Sequence, residues 1–528
     1  MSAAPGGGEE GSPGRLGLLL AMAMFVFVID TSLMNVSISA VVRDLDTTVS
    51  GVQSAVAIEA LVSAAFILIG SKIGDLFGRK RAYVVGLLLY VSGALAMVFA
   101  QSLAPVIVFW AVIGGLGASL YLPAMQSLVH GNFEGRAQAK AYALIGASAA
   151  IAAAIGPLLG GFLTTFLSWR VGFILEAVLI AVVLMGTRSL LRDVPYTGER
   201  GVDVVGSALA ALGMGALVLG ILVWQEGGES VAALLIAGLA ALTALVYWLR
   251  RRKRRGKPAL LDPDLFRSKM FSFGISQGIL QQVALGGMLI ALPIYLQMVL
   301  GYNAMEAGLS LAPLSLTMFG VAVLAGKRAG RRRPSSLIRA GFGLLSVGIL
   351  LVILIVPRAD TGWYLVAPLL LAGAGLGLLV SQLNNYTLSP VSEARVGEAA
   401  GINSATGSFG LSLGLAFAGG IMLASLSIAF TEKAESSKVL VPAEQQRVAN
   451  ALEDDAEVMS DAQLNEVLAG QPEDVQAEIL SINADARDLA LQVALLIPLL
   501  VSLIGLLSSF RMMRLPDPGP PKAPAGLG

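Results

Sequence analysis

The sequence predicts an all-α protein that crosses a membrane many times, and three observations lead to this fold class. Apolar residues make up 56% of the 528 residues and charged residues only 13%, whereas a soluble protein carries roughly 25% charge. The mean hydropathy is +0.77. The charges cluster between apolar runs of about 20 residues, each long enough to cross a hydrocarbon core of about 30 Å. Such runs must be helices, because backbone groups in lipid have to be satisfied within one segment.

About fourteen such spans follow one another along the chain. They divide into six spans, then two, then six, which predicts an N-terminal tail 1–15, an N-terminal six-helix bundle 16–195, a two-helix insert 196–269, a C-terminal six-helix bundle 270–511 and a disordered tail 512–528. The predicted spans are 16–40, 50–72, 82–100, 104–129, 139–165, 170–190, 203–224, 231–249, 270–299, 307–327, 337–356, 362–388, 399–430 and 488–511.

The basic residues of the loops predict how the chain is oriented. Lys and Arg gather in the loops after the second, fourth, sixth, eighth and tenth spans, whereas the opposite loops are short and poor in basic residues. Because positive loops stay on the cytoplasmic side, both termini are predicted to be cytoplasmic. We interpret the block Arg250–Arg255 as an anchor on the anionic inner leaflet. A lipid-headgroup or nuclear signal is the alternative interpretation.

The composition excludes several classes of function. The chain has no cysteine and one histidine, His130, so thiolate chemistry, disulfides and clusters of Cys or His metal ligands are not available. A net charge near +1 argues against nucleic acid as a partner. The sequence offers no nucleophile paired with a base and no phosphate-binding loop. We therefore expect no cofactor, no metal and no enzymatic activity.

An acidic segment, residues 431–487, separates the last two spans and is predicted to lie outside the cell. Its runs Pro442–Met459, Ser460–Leu468 and Pro472–Ile482 have helical patterns, and Ser460 with Gln463 can form a capping box. A small ordered cap is the preferred interpretation, and a mostly solvated loop is the alternative.

One carboxylate stands in the middle of the first span. Asp30 lies in an apolar stretch, and an acid at that depth costs at least about 2.5–3.5 kcal/mol on insertion scales, so acids there usually serve a purpose. Asp30 can take a proton from one side and release it on the other as its surroundings change, or it can pair with a cationic substrate. We expect it to lie between the two helical bundles. A structural hydrogen-bonding role is the alternative.

Other polar residues inside the spans are further candidates for proton or substrate coupling. Glu59 is interpreted as a cavity acid, with snorkelling toward the outer interface as the alternative. Glu176 lies near the outer end of the sixth span, where pairing with Arg170 competes with a transport role. The neutral candidates either face a cavity or hydrogen-bond between helices, and they are Asn35, Gln277, Gln281 and Gln282.

Two further motifs have physical interpretations of their own. In the loop after the second span a glycine permits a tight turn, and an acid stands beside basic residues with which it can pair. The residues concerned are Asp75, Gly78, Arg79, Lys80 and Arg81. In the fifth span three small residues, Gly156, Gly160 and Gly161, allow a neighbouring helix to approach closely. Pro157, among them, removes one backbone hydrogen bond.

These motifs, taken in order, resemble those of a known family. The loop 71–81 is similar to the loop signature of the major facilitator superfamily, and residues 152–161 are similar to the helix-5 signature of its antiporters. Residues 30–36 resemble the first-helix signature of its fourteen-helix drug:proton antiporter branch. The resemblance covers nearly the whole chain. It implies the major facilitator fold, in which two six-helix bundles, here with two extra central helices, rock about a central cavity in the cell membrane.

The resemblance also implies roles for particular residues. Asp75 and its loop would latch the cytoplasmic side between states, and the helix-5 motif would seal the cavity and favour export. One departure concerns the fourth helix, where the antiporters usually carry an Arg that assists proton transfer and this chain has Trp110. Asp30 therefore lacks the expected cationic partner.

The resulting hypothesis is a transporter that exports amphipathic or cationic drug-like compounds in exchange for protons by alternating access, working as a monomer in the lipid bilayer. The first alternative is export or flipping of a lipid or of a specific endogenous metabolite. A remote alternative is a polytopic membrane enzyme or receptor.

Overall fold

The computed structural model describes residues 12–133, 135–190, 203–225, 230–257, 259–327, 332–359, 361–391, 395–437, 439, 468 and 472–515. This part of the chain contains fourteen helices that are long and apolar enough to cross a membrane, and no strand. The predicted fold class, an all-α polytopic membrane protein, is therefore confirmed. Of the predicted tails 1–15 and 512–528, residues 12–15 belong to the first helix and 512–515 are described, while 1–11 and 516–528 lie outside the described residues, as do the predicted runs at 442–467.

We number the membrane helices α1 to α14. Their bounds are α1 Ser12–Leu45, α2 Val49–Phe77, α3 Arg79–Phe99, α4 Leu103–Val129, α5 Gly135–Phe166, α6 Trp169–Leu190, α7 Val204–Gln225, α8 Val231–Arg254, α9 Lys269–Val299, α10 Ala304–Lys327, α11 Pro334–Ile355, α12 Val366–Leu388, α13 Val396–Ser436 and α14 Glu473–Met512. The end of the molecule at the α2–α3 loop is called the basic side, and the other end is called the opposite side.

Local backbone features separate these helices. The side chain of Thr48 accepts the N–H of Gly51 at 3.1 Å and caps the start of α2. Gly78 turns the chain from α2 into α3 with a φ of 101°, which favours glycine. Inside α4, residues Val106–Gly114 form a π-helical stretch. Such wide turns are frequent at functional sites, and Trp110 lies in this one.

The N-terminal half, α1–α6, and the C-terminal half, α9–α14, meet chiefly along two pairs of helices, and α1 makes smaller contacts with α9 and α10. Where α2 meets α13, the Ser412 hydroxyl donates to the Ala57 carbonyl at 2.8 Å. Where α5 meets α10, glycines allow the backbones to touch at the opposite side. The insert helices α7 and α8 pack on each other, and α7 also lies against α2 and α13.

The insert is fastened at the basic side by charged and polar groups. The carboxylate of Asp203, just before α7, is buried and accepts from the Trp248 indole N–H at 2.8 Å and from the Leu260 backbone N–H at 3.1 Å. Lys253, at the end of α8, pairs with Asp262, and Asp262 pairs with Arg395 at 2.8 Å. This chain of contacts joins α8 to the residue before α13.

The last two helices extend beyond their predicted ends on the opposite side. α13 continues to Ser436 and α14 begins at Glu473, so the third helical run predicted for the acidic segment is part of α14. Lys433 and Asp485 pair at 2.9 Å between the two extensions. The extended ends therefore contact each other through a salt bridge.

Candidate functional site

Asp30 lies in the interior of the N-terminal half and is 2% exposed. The Tyr90 hydroxyl of α3 donates to its Oδ2 at 2.5 Å. The Trp110 indole Nε1–H of α4 donates to Oδ1 at 3.0 Å and to Oδ2 at 3.2 Å. The carboxyl group is thus held by two neutral donors, which supply hydrogen bonds without supplying a positive charge.

These contacts correct one expectation and explain another. Both partners of Asp30 belong to its own half, so the side chain lies within the N-terminal bundle rather than between the bundles. Trp110 stands where an Arg was expected, and its indole N–H takes the place of that cation as a hydrogen-bond donor. Among the ion pairs of the described residues, none includes Asp30.

Two further buried acids lie within electrostatic range of Asp30. Glu59 of α2 is 5% exposed and accepts a long hydrogen bond of 3.4 Å from Ser63. Glu176 of α6 is 1% exposed, and neither of its carboxyl oxygens has a hydrogen-bond partner. We call Asp30, Glu59 and Glu176 the acid cluster. Its members come from three helices, which only the packing of the bundle brings together.

The pairing of Glu176 with Arg170 that the sequence left open is not formed. Arg170 pairs instead with Asp44 of α1 and donates to the Ala100 carbonyl at 2.5 Å. Asp44 also accepts the Trp169 indole N–H at 3.0 Å. These contacts connect the ends of α1, α3 and α6 at the opposite side. Because Arg170 is engaged there, Glu176 stays within the acid cluster. Within the described part of the chain, no three His, Cys, Asp or Glu side chains converge as metal ligands.

The α2–α3 loop forms the predicted turn at Gly78. Asp75, near the end of α2, pairs at 2.9 Å across this turn with Arg79, the first residue of α3. Lys80 is partly buried and Arg81 is exposed. The loop therefore contains the ion pair Asp75–Arg79 next to two further basic side chains, Lys80 and Arg81.

The glycines of α5 face two neighbours. A Cβ at Gly156 would lie 2.4 Å from the Ser32 Cβ, and one at Gly160 would lie 2.7 Å from the Val36 Cγ2. The absence of side chains at these two positions therefore allows α1 to pack closely on α5. A Cβ at Gly161 would lie 2.4 Å from the Ala304 carbonyl oxygen of α10. The helix runs on through Pro157, whose carbonyl lies against Gly308 of α10.

Side-chain contacts continue this seam toward the opposite side. The Thr165 hydroxyl accepts the Met305 backbone N–H at 3.0 Å. The helix-5 motif thus joins α5 to α1 within one half and to α10 of the other half, and the contacts with α10 lie at the opposite side of the molecule.

The neutral candidates behave in different ways. Asn35 is 1% exposed, and neither of its amide atoms has a partner. Gln277 donates to the Ser508 hydroxyl of α14 at 2.5 Å, which is the interhelical alternative and not a cavity stripe. Gln281 donates to the adjacent Gln282 at 3.0 Å.

Sequence reasoning missed the tyrosines around Asp30. Tyr90 touches the carboxylate, Tyr121 of α4 packs against Tyr90 with ring centroids 5.6 Å apart, and Tyr83 lies 6.3 Å from Tyr121. The seven-residue spacing of Tyr83 and Tyr90 indicates a common helix face. Tyr121 had no such signal, because its proximity depends on how α4 packs on α3.

Comparison with known proteins places the chain in a family. The model of the Major Facilitator Superfamily matches residues 20–202 and 201–415. The chain is 27% identical over 413 residues to a probable actinorhodin transporter of Streptomyces coelicolor, covering 76% of this chain and 71% of the relative. It is 30% identical over 409 residues to the multidrug resistance protein Stp of Mycobacterium tuberculosis, covering 77% and 75%.

The chain is also similar to a third relative and to a solved structure. The riboflavin transporter RibZ of Clostridioides difficile is 24% identical over 433 residues, covering 81% of this chain and 92% of the relative. A solved inward-facing structure of a bacterial homologue of the human lysosomal transporter Spinster superposes with a TM-score of 0.66 at 13% identity, covering 96% of this chain and 99% of that one.

The membrane-spanning helices, the family model and the transporters among the relatives define a multi-pass membrane transporter rather than an enzyme. The chain belongs to the Major Facilitator Superfamily, whose transporters reside in the cell membrane.

Proposed function

We propose that this protein exports amphipathic or cationic compounds in exchange for protons, with Asp30 as the coupling acid. One observation carries the proposal: two further buried acids, Glu59 and Glu176, lie within electrostatic range of Asp30, while the hydrogen bonds to Asp30 come from neutral donors. An ionised carboxylate in an apolar interior needs a positive partner. A proton and a cationic substrate are two partners that would compete for that place.

The names of the relatives support export as the direction. One relative is named for multidrug resistance and another as a transporter of actinorhodin. The contacts between α5 and α10 lie at the opposite side, and we take them to seal the cavity there, so the substrate path of this state would open toward the basic side. With the basic side cytoplasmic, as the positive-inside rule predicts, this state would load substrate from the cell. Both termini would then be cytoplasmic.

The transport cycle follows from these placements. Substrate would bind the monomer from the cytoplasm while Asp30 is ionised, and the halves would rock so that the α5–α10 seam opens. A proton arriving from outside would neutralise Asp30 and weaken the hold on a cation. Asp75 and Arg79 would latch the cytoplasmic side by breaking and re-forming their pair as the loop moves. Glu59 and Glu176 would serve as additional proton sites.

The test is proton flux in proteoliposomes driven by ethidium, an amphipathic organic cation. Asp30→Asn removes the coupling acid, so the rate of ethidium-dependent proton release should fall far below that of the wild type, with only the contribution of Glu59 and Glu176 remaining. Asp44→Asn is the matched control, because Asp44 also lies on α1 and accepts a Trp indole N–H but is exposed. Coupled ethidium transport by Asp30→Asn at the wild-type rate would defeat the proposal.

A second candidate function is export of a specific metabolite, which the similarity to a riboflavin transporter favours. The same proteoliposomes distinguish the two candidate functions. Uptake of riboflavin without response to ethidium, and without dependence on Asp30, would favour the metabolite over the cation.

A further inference from the structure

A row of buried tyrosines runs from Asp30 toward the basic side of the N-terminal half. Tyr90 donates directly to the Asp30 carboxylate at 2.5 Å. The Tyr121 ring packs edge-on against Tyr90 at 5.6 Å and against Tyr83 at 6.3 Å. Tyr83 lies four residues from Arg79, the first residue of α3 at the basic loop. The three rings therefore form a row that leads from the buried acid toward the basic end of α3.

Glycines set the close spacing of this row. A Cβ at Gly86 would lie 2.7 Å from the Tyr121 backbone N, and one at Gly117 would lie 2.6 Å from the Tyr90 backbone N. Helices α3 and α4 thus touch where the tyrosines meet, and any larger residue would separate the rings. The approach is specified by the backbone and does not depend on one side-chain rotamer.

Two of the three hydroxyl groups have no hydrogen-bond partner. Tyr83 and Tyr121 are both 0% exposed, and their hydroxyl oxygens are buried and unpaired. A phenylalanine would fill the same space without leaving a polar atom unsatisfied, so packing alone does not explain a tyrosine. Buried polar atoms of this kind call for a partner that binds in another state, and water is the simplest one.

We propose that Tyr90, Tyr121 and Tyr83 form a proton path between Asp30 and the basic side. This inference rests on the proposed function, because it assigns the route by which the coupling proton leaves toward the cytoplasm. Water molecules entering between the rings complete the hydrogen-bonded chain when the protein changes state. Trp110, in the π-helical part of α4, donates to both carboxyl oxygens of Asp30 and holds the carboxylate while the proton moves.

The transfer conserves protons at every step. The O–H bond of the protonated Asp30 breaks as its proton passes to the Tyr90 oxygen, and the proton of Tyr90 passes on to a bridging water or to Tyr121. Tyr83 gives the last proton to water at the basic loop, and each tyrosine ends neutral. One proton leaves the carboxyl group and one enters cytoplasmic water.

Several groups face this path from the surrounding helices. They are Asp30 on α1, Glu59 on α2, Tyr83 and Tyr90 on α3, Trp110 and Tyr121 on α4 and Glu176 on α6. The groups that interact with Tyr90 and Tyr121 are acids and other aromatic side chains, so a proton entering the row meets negative or neutral neighbours.

The experiment removes single hydroxyl groups and keeps each ring. Tyr121→Phe and Tyr83→Phe are compared with Tyr247→Phe, whose ring is 68% exposed on α8. Each full-length variant is reconstituted with a pH-sensitive dye, and proton release on adding ethidium is followed by stopped flow. We expect a fall in the proton-release rate of about tenfold or more for the two buried positions and none for Tyr247→Phe. Equilibrium ethidium binding should stay unchanged.

Thermal unfolding in detergent separates a path from a structural role. Removal of an unpaired hydroxyl should leave the unfolding temperature unchanged or raise it, while a slowed proton transfer should enlarge the rate difference between H₂O and D₂O. Wild-type release rates in both buried variants would overturn the path, and so would a slower rate that comes with a lower unfolding temperature.

A failure of the proposed function has a different signature. In that case the wild type itself releases no protons when ethidium is added. The path is then tested without substrate by the infrared carbonyl band of Asp30 after a pH jump, with Asp30→Asn used to assign the band. Slower protonation in Tyr121→Phe would support the path, and an unchanged rate would refute it.

Discussion

The two halves of the molecule bury their polar groups in opposite ways. In the N-terminal half Asp30, Glu59 and Glu176 are buried acids, and Glu176 has no hydrogen-bond partner. In the C-terminal half polar side chains bond across helices, such as Ser346 to Ser502 at 2.8 Å. The described residues of that half have one buried charged side chain, Arg487 at the opposite side, which donates to a backbone carbonyl.

We interpret this contrast as a division of two roles, proton binding and helix packing, between the two halves. A group that gains and loses a proton cannot be tied permanently to one partner, because its hydrogen-bonding needs change with its charge. Amides and hydroxyls keep the same needs throughout the cycle, so they can hold helices together. Under the proposed function, the N-terminal half would therefore carry the titration and the C-terminal half would serve mainly as a scaffold.

The largest effect is expected at the seam where the halves meet. Gly161→Leu places a side chain where the Ala304 carbonyl of α10 now lies, so α5 cannot pack on α10 as it does here, and ethidium transport should fall by about tenfold or more as this state is depopulated. Gly320→Leu on α10 is the control, because nothing lies within 4 Å of a Cβ there. Equal transport by the two variants would show that this contact does not separate the two states.

The next largest effect is expected in the N-terminal half, at the buried acid Glu176. Glu176→Met removes two unpartnered oxygens and should stabilise the folded protein by about 1–3 kcal/mol, measured as a higher unfolding temperature in detergent. The variant should also export fewer protons per substrate. Glu176→Gln keeps a polar side chain without titration, so it should reproduce the lower proton count without the full gain in stability. A less stable Glu176→Met protein would assign Glu176 to the scaffold.

A smaller effect is expected in the C-terminal half, at Gln277. Gln277→Leu loses the bond to Ser508, and the free energy of unfolding should fall by about 1 kcal/mol. The pH dependence of ethidium transport should stay at the wild-type midpoint, because no titrating group is altered. A shifted midpoint would contradict the division of tasks between the halves.

The smallest effect concerns the salt bridges that fasten the insert. Burial alone would raise the pKa of Asp262, but hydrogen bonds from Lys253 and from the Asp264 backbone N–H, with the charges of Arg395 and Lys253, outweigh burial and hold the pKa below its usual value. This stabilisation is complete above the ordinary pKa of an Asp, about 3.9, and is lost as the pH falls through the lower folded value.

The corresponding measurement is the unfolding temperature of the detergent-solubilised protein between pH 6 and pH 3. The wild type should lose part of its stability in the acid range, and Asp262→Asn should lose less, because it has no carboxylate to protonate. Identical acid profiles of the two proteins would show that these ion pairs do not stabilise the insert.

The sequence predicted most of the fold because each span is a local property. Helix bounds agree within several residues, apart from the extended α13 and α14, whose ends are polar and gave no apolar signal. Gly78 and Gly161 were also identified from their local patterns. Their partners were not, since the sequence does not say that Gly161 meets Ala304 rather than another backbone.

The site was predicted in part. Asp30 stood out because an acid in an apolar run is conspicuous, and Trp110 was noticed only as a missing Arg. The hydrogen bond from that indole depends on the packing of α4 against α1, which no local pattern encodes. Gln277 was interpreted as either a cavity or an interhelical residue, and its bond to α14 decides for the second.

The amino-acid sequence by itself determined the number of helices, the turn at Gly78 and the presence of acids at membrane depth, since hydrophobic length and backbone freedom act over a few residues. Tertiary structure alone decided that Asp30 lies inside one half, that neutral donors hold it and that tyrosines lead away from it. Those facts depend on contacts 60 and 80 residues apart, and such contacts exist only once whole helices have packed.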